Sequence, residues 1–374
     1  MIRFASVALI VTTSSLVACA DVSAQSKEPS AVTAEVRRAA LRRAQVWAPT
    51  DITSKDITAG PEGPGAFPPN ATVVCNYVEK KMSGRSPKFT CVITPADEVK
   101  VKYGRHNGEV FGEVAASRLL WALGFFAERM YPVRVVCRGC PPRVQDTDLA
   151  SIQRKFPGKD VETAPGSGWA WPELDLVDPT AGGAPRAQRD ALKLLAAFLQ
   201  HTDSKPEQQR LVCVSTVKDE KSEDHAKSAD RQKSEPQENH KGQQPCTQTV
   251  MLVHDLGLTF GHATLFNRNS LSSANLDQWS RAPVWKDPAR CIADLRRSFS
   301  GTLDNPPISE EGRKFLADLL MQLSDTQLHQ LFEVSRFPQR QPAVPGASGP
   351  ATIDQWVDVF KRKRNEVVNS TCPS

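Results

Sequence analysis

The sequence predicts an α+β protein in which a small antiparallel sheet lobe precedes a mainly helical lobe. Two observations carry that expectation. Three short runs, "TVVCNYVEK", "KFTCVI" and "EVKVKYG", lie close together between residues 72 and 104, with the alternation and β-branched content of strands and turn residues between them. Further on, apolar residues recur at helical spacing in "RAQRDALKLLAAFLQ", "EEGRKFLADLLMQL" and "TIDQWVDVFKRKRNEV". With 374 residues and 40% apolar content, the chain can bury a sizeable core, either as one large domain or as two lobes sharing a cleft.

The elements follow in order. Residues 1–24 read as a secretory signal peptide: one Arg, a diluted apolar stretch, then small residues. Leu16-Val17-Ala18-Cys19 resembles a bacterial lipobox, in which Cys19 carries a lipid anchor; Val22-Ser23-Ala24 offers an ordinary cleavage site instead. The chain is therefore expected to be exported, as a periplasmic, membrane-anchored or secreted protein. Residues 25–70 begin with a short helix over 31–47 and continue through "AGPEGPGAFPPN", so they read as a linker. Residues 71–167 hold the three strands, the helix "EVFGEVAASRLLWALGFF" and a further strand "YPVRVVCRGC", with loop-rich sequence from 141 to 185. Residues 168–374 form the helical region, entered through "GWAWPELDL" as an extended connection.

Inside that region, "RLVCVSTV" and "TQTVMLVHDLG" read as strands separated by residues 217–245, whose Lys, Glu, Ser and Asp content lacks the apolar residues needed to offset chain ordering. A disordered insertion is expected there, with Cys213 and Cys246 stapling its base. Later, Ser324-Asp-Thr-Gln327 has capping-box spacing ahead of another helix.

The net charge of +5 is spread along the chain, so no nucleic-acid surface is expected. Apart from Cys19, the cysteines are Cys75, Cys91, Cys137, Cys140, Cys213, Cys246, Cys291 and Cys372. An even number in an exported chain favours disulfides. Cys75 and Cys91 fall on neighbouring strands and can pair. Cys137-Arg-Gly-Cys140 has redox-pair or half-zinc-site spacing; without a second such motif or a His pair, zinc is not expected and structural pairing is favoured.

The chemistry-bearing residues cluster in "FLQHTDSKPEQQRLVC". His201-Thr-Asp203-Ser-Lys205-Pro-Glu207-Gln208 resembles the protein-kinase catalytic loop H-R-D-L-K-P-E-N, with His, Asp, Lys, Pro and Glu in register. Downstream, Asp255-Leu256-Gly257 follows a strand, where kinases carry D-F-G. Upstream, Lys102 ends the third strand, as the V-A-I-K lysine does, and Glu113 lies on the next helix, where that lysine's ion-pair partner belongs. Over roughly residues 72–335 the order of parts resembles the protein-kinase-like fold, in its atypical HipA-like or secretory-pathway form.

The resemblance implies a bilobal fold and a phosphotransferase moving a nucleotide γ-phosphate, with ATP and Mg2+, to an unknown hydroxyl acceptor. By carry-over, Lys102 holds the nucleotide phosphates and Glu113 orients it; Asp255 ligates Mg2+ with Gln208 as second ligand; Asp203 accepts or orients the hydroxyl proton; Lys205 neutralises charge on the transferred group. Gln208 departs from the family's Asn by one methylene. The glycine-rich loop is reduced to Gly84, flanked by Lys80, Lys81, Arg85 and Lys88. Lys100 shares the strand face of Lys102, and Glu109 competes with Glu113. Exported bacterial compartments hold little ATP, which sets two alternatives beside the enzyme: a non-catalytic pseudokinase and a disulfide-stabilised envelope binding protein.

Overall fold

The computed structural model describes residues 31–84, 86–216, 246–261, 273–341 and 350–373. The signal peptide, Cys19 and the 217–245 insertion expected from sequence lie outside the described residues.

The first strands form as the alternation dictates. β1 (Ala71–Val78), β2 (Lys88–Thr94) and β3 (Asp97–Tyr103) pair antiparallel in succession, turning Val73, Cys75, Phe89, Cys91, Val99 and Val101 inward. Two more strands, β4 (Arg129–Arg138) and β5 (Ala150–Arg154), complete the order β1-β2-β3-β5-β4. The wall then closes, because β4 runs parallel to β1 from Ala71↔Val133 to Asn76↔Arg138. The three strands and the further strand expected from sequence are thus part of a closed five-stranded barrel with a small core of its own. Closure removes exposed edges.

Between β3 and β4 runs helix α2 (Gly108–Ala122), capped by Asn107, whose side chain accepts from the Glu109 N–H. Nearly every residue of α2 is buried, so its apolar positions face the barrel wall on one side and the main core on the other.

Residues 31–70 are not a linker. Helix α1 (Ala34–Arg42) and the segment after it bury Ala40, Leu41, Ala44, Val46, Ile52 and Ile57 in the main core. Gln45 exchanges backbone hydrogen bonds with Thr249 and Met251, and Arg118 of α2 donates to the Ile57 carbonyl at 2.6 Å. The Gly and Pro content that suggests a spacer serves turns within a packed strap.

The loop-rich reading of 141–185 also needs correction. That stretch contains β5 and β6 (Lys159–Asp160), and β6 pairs with β7 (Gln209–Thr216), so the boundary expected at 167/168 is bridged by a sheet. β5 and β6 are too short to show a periodic pattern. Trp169 and Trp171, expected in an extended connection, are fully buried, their ring centroids 5.2 Å apart.

The remainder is mainly helical. α3 (Arg186–Leu199) ends in Gln200 with left-handed backbone, and β7 pairs antiparallel with β8 (Cys246–Val253). α4 (Leu276–Arg281), α5 (Glu310–Met321), α6 (Asp325–Val334) and α7 (Ile353–Asn369) surround an aromatic cluster of Phe198, Phe260, Trp279, Phe332, Trp356 and Phe360. The capping box of Ser324 and Gln327 is present at α6.

α5 crosses α3 at Gly312, where an added Cβ would come within 2.5 Å of the Asp190 Cβ. Gly312→Val is therefore expected to force the helices apart, at about 1–3 kcal/mol. An unchanged urea midpoint in that variant would contradict the close contact.

Among the described residues there are four disulfides: Cys75–Cys91, Cys137–Cys140, Cys213–Cys246 and Cys291–Cys372. Disulfides persist in oxidising compartments. Among the described residues, no helix is long and apolar enough to cross a membrane.

Candidate active site

Lys102 lies on the outer wall of the barrel, since Val99 and Val101 take the inward positions of β3. α2 covers that wall and leaves Lys102 only 1% exposed. A buried ammonium needs partners. It has three: Glu113 at 2.8 Å, Glu109 at 2.9 Å and Asp255 at 3.2 Å. Glu109 and Glu113 stand one turn apart on α2, so one helix face supplies both. Of the two strand lysines, it is Lys102 that the helix buries. Both candidate glutamates reach it.

The electrostatics follow from three carboxylates around one cation. Burial pushes the fully enclosed Glu113 carboxyl up to about 7, with Asp255 reinforcing the shift and Lys102 opposing it. For Asp255, burial acts in the same sense but is outweighed by Lys102, Lys100, His254 and the Gly257 N–H, which hold it well below the usual carboxylate range. Burial would lower Lys102, yet Asp255, Glu109 and Glu113 together keep it well above its ordinary value. The centre therefore holds a firmly charged lysine and aspartate, with Glu113 as the group nearest to accepting a proton.

Asp255 reaches Lys102 because β8 ends at Val253 and the chain turns sharply through Gly257, whose N–H donates to Asp255 Oδ1 at 3.1 Å. A Cβ at Gly257 would lie 2.7 Å from Glu109 Cγ, so only glycine lets this turn press against α2.

The second group of residues sits on the loop after α3. The left-handed Gln200 reverses the chain, and the His201 N–H returns to the Ala196 carbonyl at 2.8 Å. His201, Thr202 and Ser204 are buried, whereas Asp203 and Lys205 are half-buried at the surface of the loop. Burial lowers the His201 pKa despite the nearby Asp203 and Asp255, and the ring stands 6.2 Å from that of Trp171. The Asp203 Oδ2 accepts from Lys205 Nζ at 3.2 Å and from Gln208 Nε2 at 3.0 Å.

The two groups are tied by backbone. The Gln208 carbonyl accepts from the N–H groups of His254 and Asp255, at 2.8 and 3.3 Å, and the Phe260 N–H donates to the Leu199 carbonyl at 2.7 Å. Asp203, Lys205 and Gln208 thus form one cluster, Lys102, Glu113 and Asp255 another, and Gln208 joins them.

Of the lysines near Gly84, Lys80 is engaged by Glu98 on the surface. Lys88 is the register partner of Lys102 and faces Glu109 and Asp255; burial, followed by Lys102, lowers its pKa.

Sequence reasoning missed a neighbouring network. Glu128, 2% exposed, is bound by Arg210 and by the Phe156 N–H, while Arg210 also reaches Asp160 at 2.7 Å. His254, next to Asp255, places its Nδ1 3.1 Å from Gln153 Nε2 and 3.4 Å from Glu128 Oε1. The one signal was Arg210, a charge beside the apolar Leu211 and Val212 of β7. Nothing near Glu128 marked it.

Fold and site together define an α+β protein with a buried lysine–carboxylate centre beside a polar loop. No family model matches the chain, and no curated protein matches it. Among solved structures, it is similar to a Helicobacter pylori proinflammatory kinase, CtkA, with 12% identity over 81% of this chain and 95% of that one, at a TM-score of 0.39.

Proposed function

We propose that the chain is an exported, bilobal, kinase-like phosphotransferase that takes a magnesium–nucleotide in the cleft between the barrel and the helical region. One observation carries the reading: a buried lysine at the end of a third strand, paired with a glutamate of the following helix and with an aspartate just past a later strand. Phosphoryl transfer depends on positioning and charge stabilisation rather than covalent chemistry, and a lysine–glutamate pair with a metal-binding aspartate is the arrangement protein kinases use for it.

The roles follow from position. Lys102 binds the nucleotide phosphates and Glu113 holds it in place. Asp203 takes or orients the proton of the attacking hydroxyl, and Lys205, 3.2 Å away, offsets charge on the transferred group. Asp255 stays ionised, and Mg2+ generally takes only one or two protein oxygens beside substrate phosphates, so Asp255 with the Gln208 amide fits that ion. When bound, the metal neutralises charge on the phosphates. The disulfides support export into an oxidising compartment.

A second reading, a non-catalytic nucleotide or ligand binder on the same fold, is favoured by one feature. An ammonium has three donors, and all three of Lys102 are matched by carboxylates. A phosphate must displace one of them; of the two glutamates, Glu109 is the more accessible, its side chain 13% exposed against 1% for Glu113.

Calorimetric titration with ATP, with and without Mg2+, tests the proposal. Binding that requires Mg2+ and is lost in Asp255→Ala is expected; no Mg2+-dependent binding of any nucleotide would end it. Binding without transfer to any acceptor would favour the second reading.

A further inference from the structure

We propose that Cys137–Cys140 is a thiol–disulfide exchange site at the rim of the barrel, taking a dithiol reductant, while the other three disulfides hold the fold. The inference is independent of the phosphotransfer reading.

The first argument is loop length. Cys137 and Cys140 are separated by 3 positions, against 16, 33 and 81 for the other pairs. A cross-link stabilises mainly by restricting the unfolded chain, and it does so more for longer loops. The Cys137–Cys140 bond is therefore expected to contribute least to stability of the four.

Position supplies the second argument. Cys137 is near the end of β4 and Cys140 lies in the loop beyond it, both half-exposed, as are Cys213 and Cys246, whereas Cys75, Cys91, Cys291 and Cys372 are buried. Arg138 stands between the two cysteines and Arg143 follows, its guanidinium reaching the Tyr77 hydroxyl at 3.2 Å across the β1–β4 seam. The thiolate is the species that leaves and attacks in exchange.

Third, a second disulfide lies directly behind. Cys75 is the register partner of Cys137 in the parallel β1–β4 pair. Both take the inward parity of their strands, following Val73 and Val135, and both pack on the barrel core.

The steps balance. A thiolate of the reductant attacks the Cys140 sulfur, forming a mixed disulfide and releasing Cys137 as a thiolate. The reductant's second thiol then frees Cys140 and leaves as a disulfide, so two electrons and two protons pass to the protein. The Cys137 thiolate can next attack the Cys75 sulfur, forming Cys75–Cys137 and releasing Cys91. That second step moves the cross-link from the β1–β2 pair to the seam that closes the barrel.

The test uses the full folded chain in buffers of graded reduced-to-oxidised dithiothreitol, followed by alkylation and peptide mapping. Cys137 and Cys140 are expected to be alkylated at a dithiothreitol ratio about ten-fold or more below that needed for any other pair. All four pairs opening together, or Cys213–Cys246 opening first, would overturn the assignment. Mapping of Cys140→Ser addresses the second step. A Cys75–Cys137 disulfide with free Cys91 supports it; an intact Cys75–Cys91 beside a lasting free Cys137 refutes it.

Discussion

Asp203→Ala protein is expected to bind magnesium–nucleotide as the parent chain does and to transfer phosphate about 10²–10⁴-fold more slowly, the usual worth of a positioned general base. The separation of effects follows from geometry. Asp203 touches Lys205 and Gln208 but makes no ion pair with Lys102, so its removal leaves the lysine–carboxylate centre intact. Half-exposed and on a loop held by buried neighbours, it is also a position where truncation costs little stability. Asp203→Asn should keep the contacts and still lose the rate. The measurement is single-turnover phosphate transfer alongside nucleotide affinity; turnover within two-fold of the parent in both variants would remove Asp203 from the chemistry.

Lys102→Met carries the largest expected effect on stability. It leaves Glu109, Glu113 and Asp255 facing one another without their cation, and removing one partner of a buried pair typically costs about 3–5 kcal/mol. The loss has a predicted pH dependence. In the parent chain Glu113 is already raised from its ordinary 4.5 to about 7, so the stability it confers is complete below the unfolded value and declines as pH rises toward 7. Without Lys102 the Glu113 carboxyl rises further, and Asp255 loses the charge that holds it low. The variant should therefore regain much of its deficit between pH 8 and pH 5.5, as the crowded carboxylates take up protons. Urea unfolding at the two pH values checks this. A deficit under about 1 kcal/mol, the same at both, would mean the lysine is not the counter-charge of that centre.

How much of this was legible beforehand depends on the range of the interaction. The alternation of β1 to β3, the capping box at Ser324 and the pairing of Cys75 with Cys91 are local, and local chemistry is written in consecutive residues. Lys102, Glu113, Asp203 and Asp255 could be singled out because each stands in a short pattern on a definite type of element, and the structure gathers them around two linked clusters. Glu109 was visible only as a competitor of Glu113; its contact with Lys102 depends on how α2 is rotated against the barrel. Glu128 carried no mark at all, because its partners Arg210 and His254 come from distant segments and meet only in the folded chain.

The same distinction explains the corrections. Residues 31–70 look like a spacer because Gly and Pro dominate their later half, yet Ala40, Leu41 and Ile52 find a surface made by other parts of the chain. The parallel pairing of β4 with β1 likewise cannot be read from either strand, since alternation fixes which face is buried and not which neighbour is chosen. What the amino-acid order determined alone was the longer strands and helices, the oxidised character suggested by its cysteines and most of the residues with chemical potential. Barrel closure, the burial of Lys102 among three acids and the backbone link through Gln208 were decided by tertiary structure, because each needs groups far apart in the chain to exclude water from the same small volume.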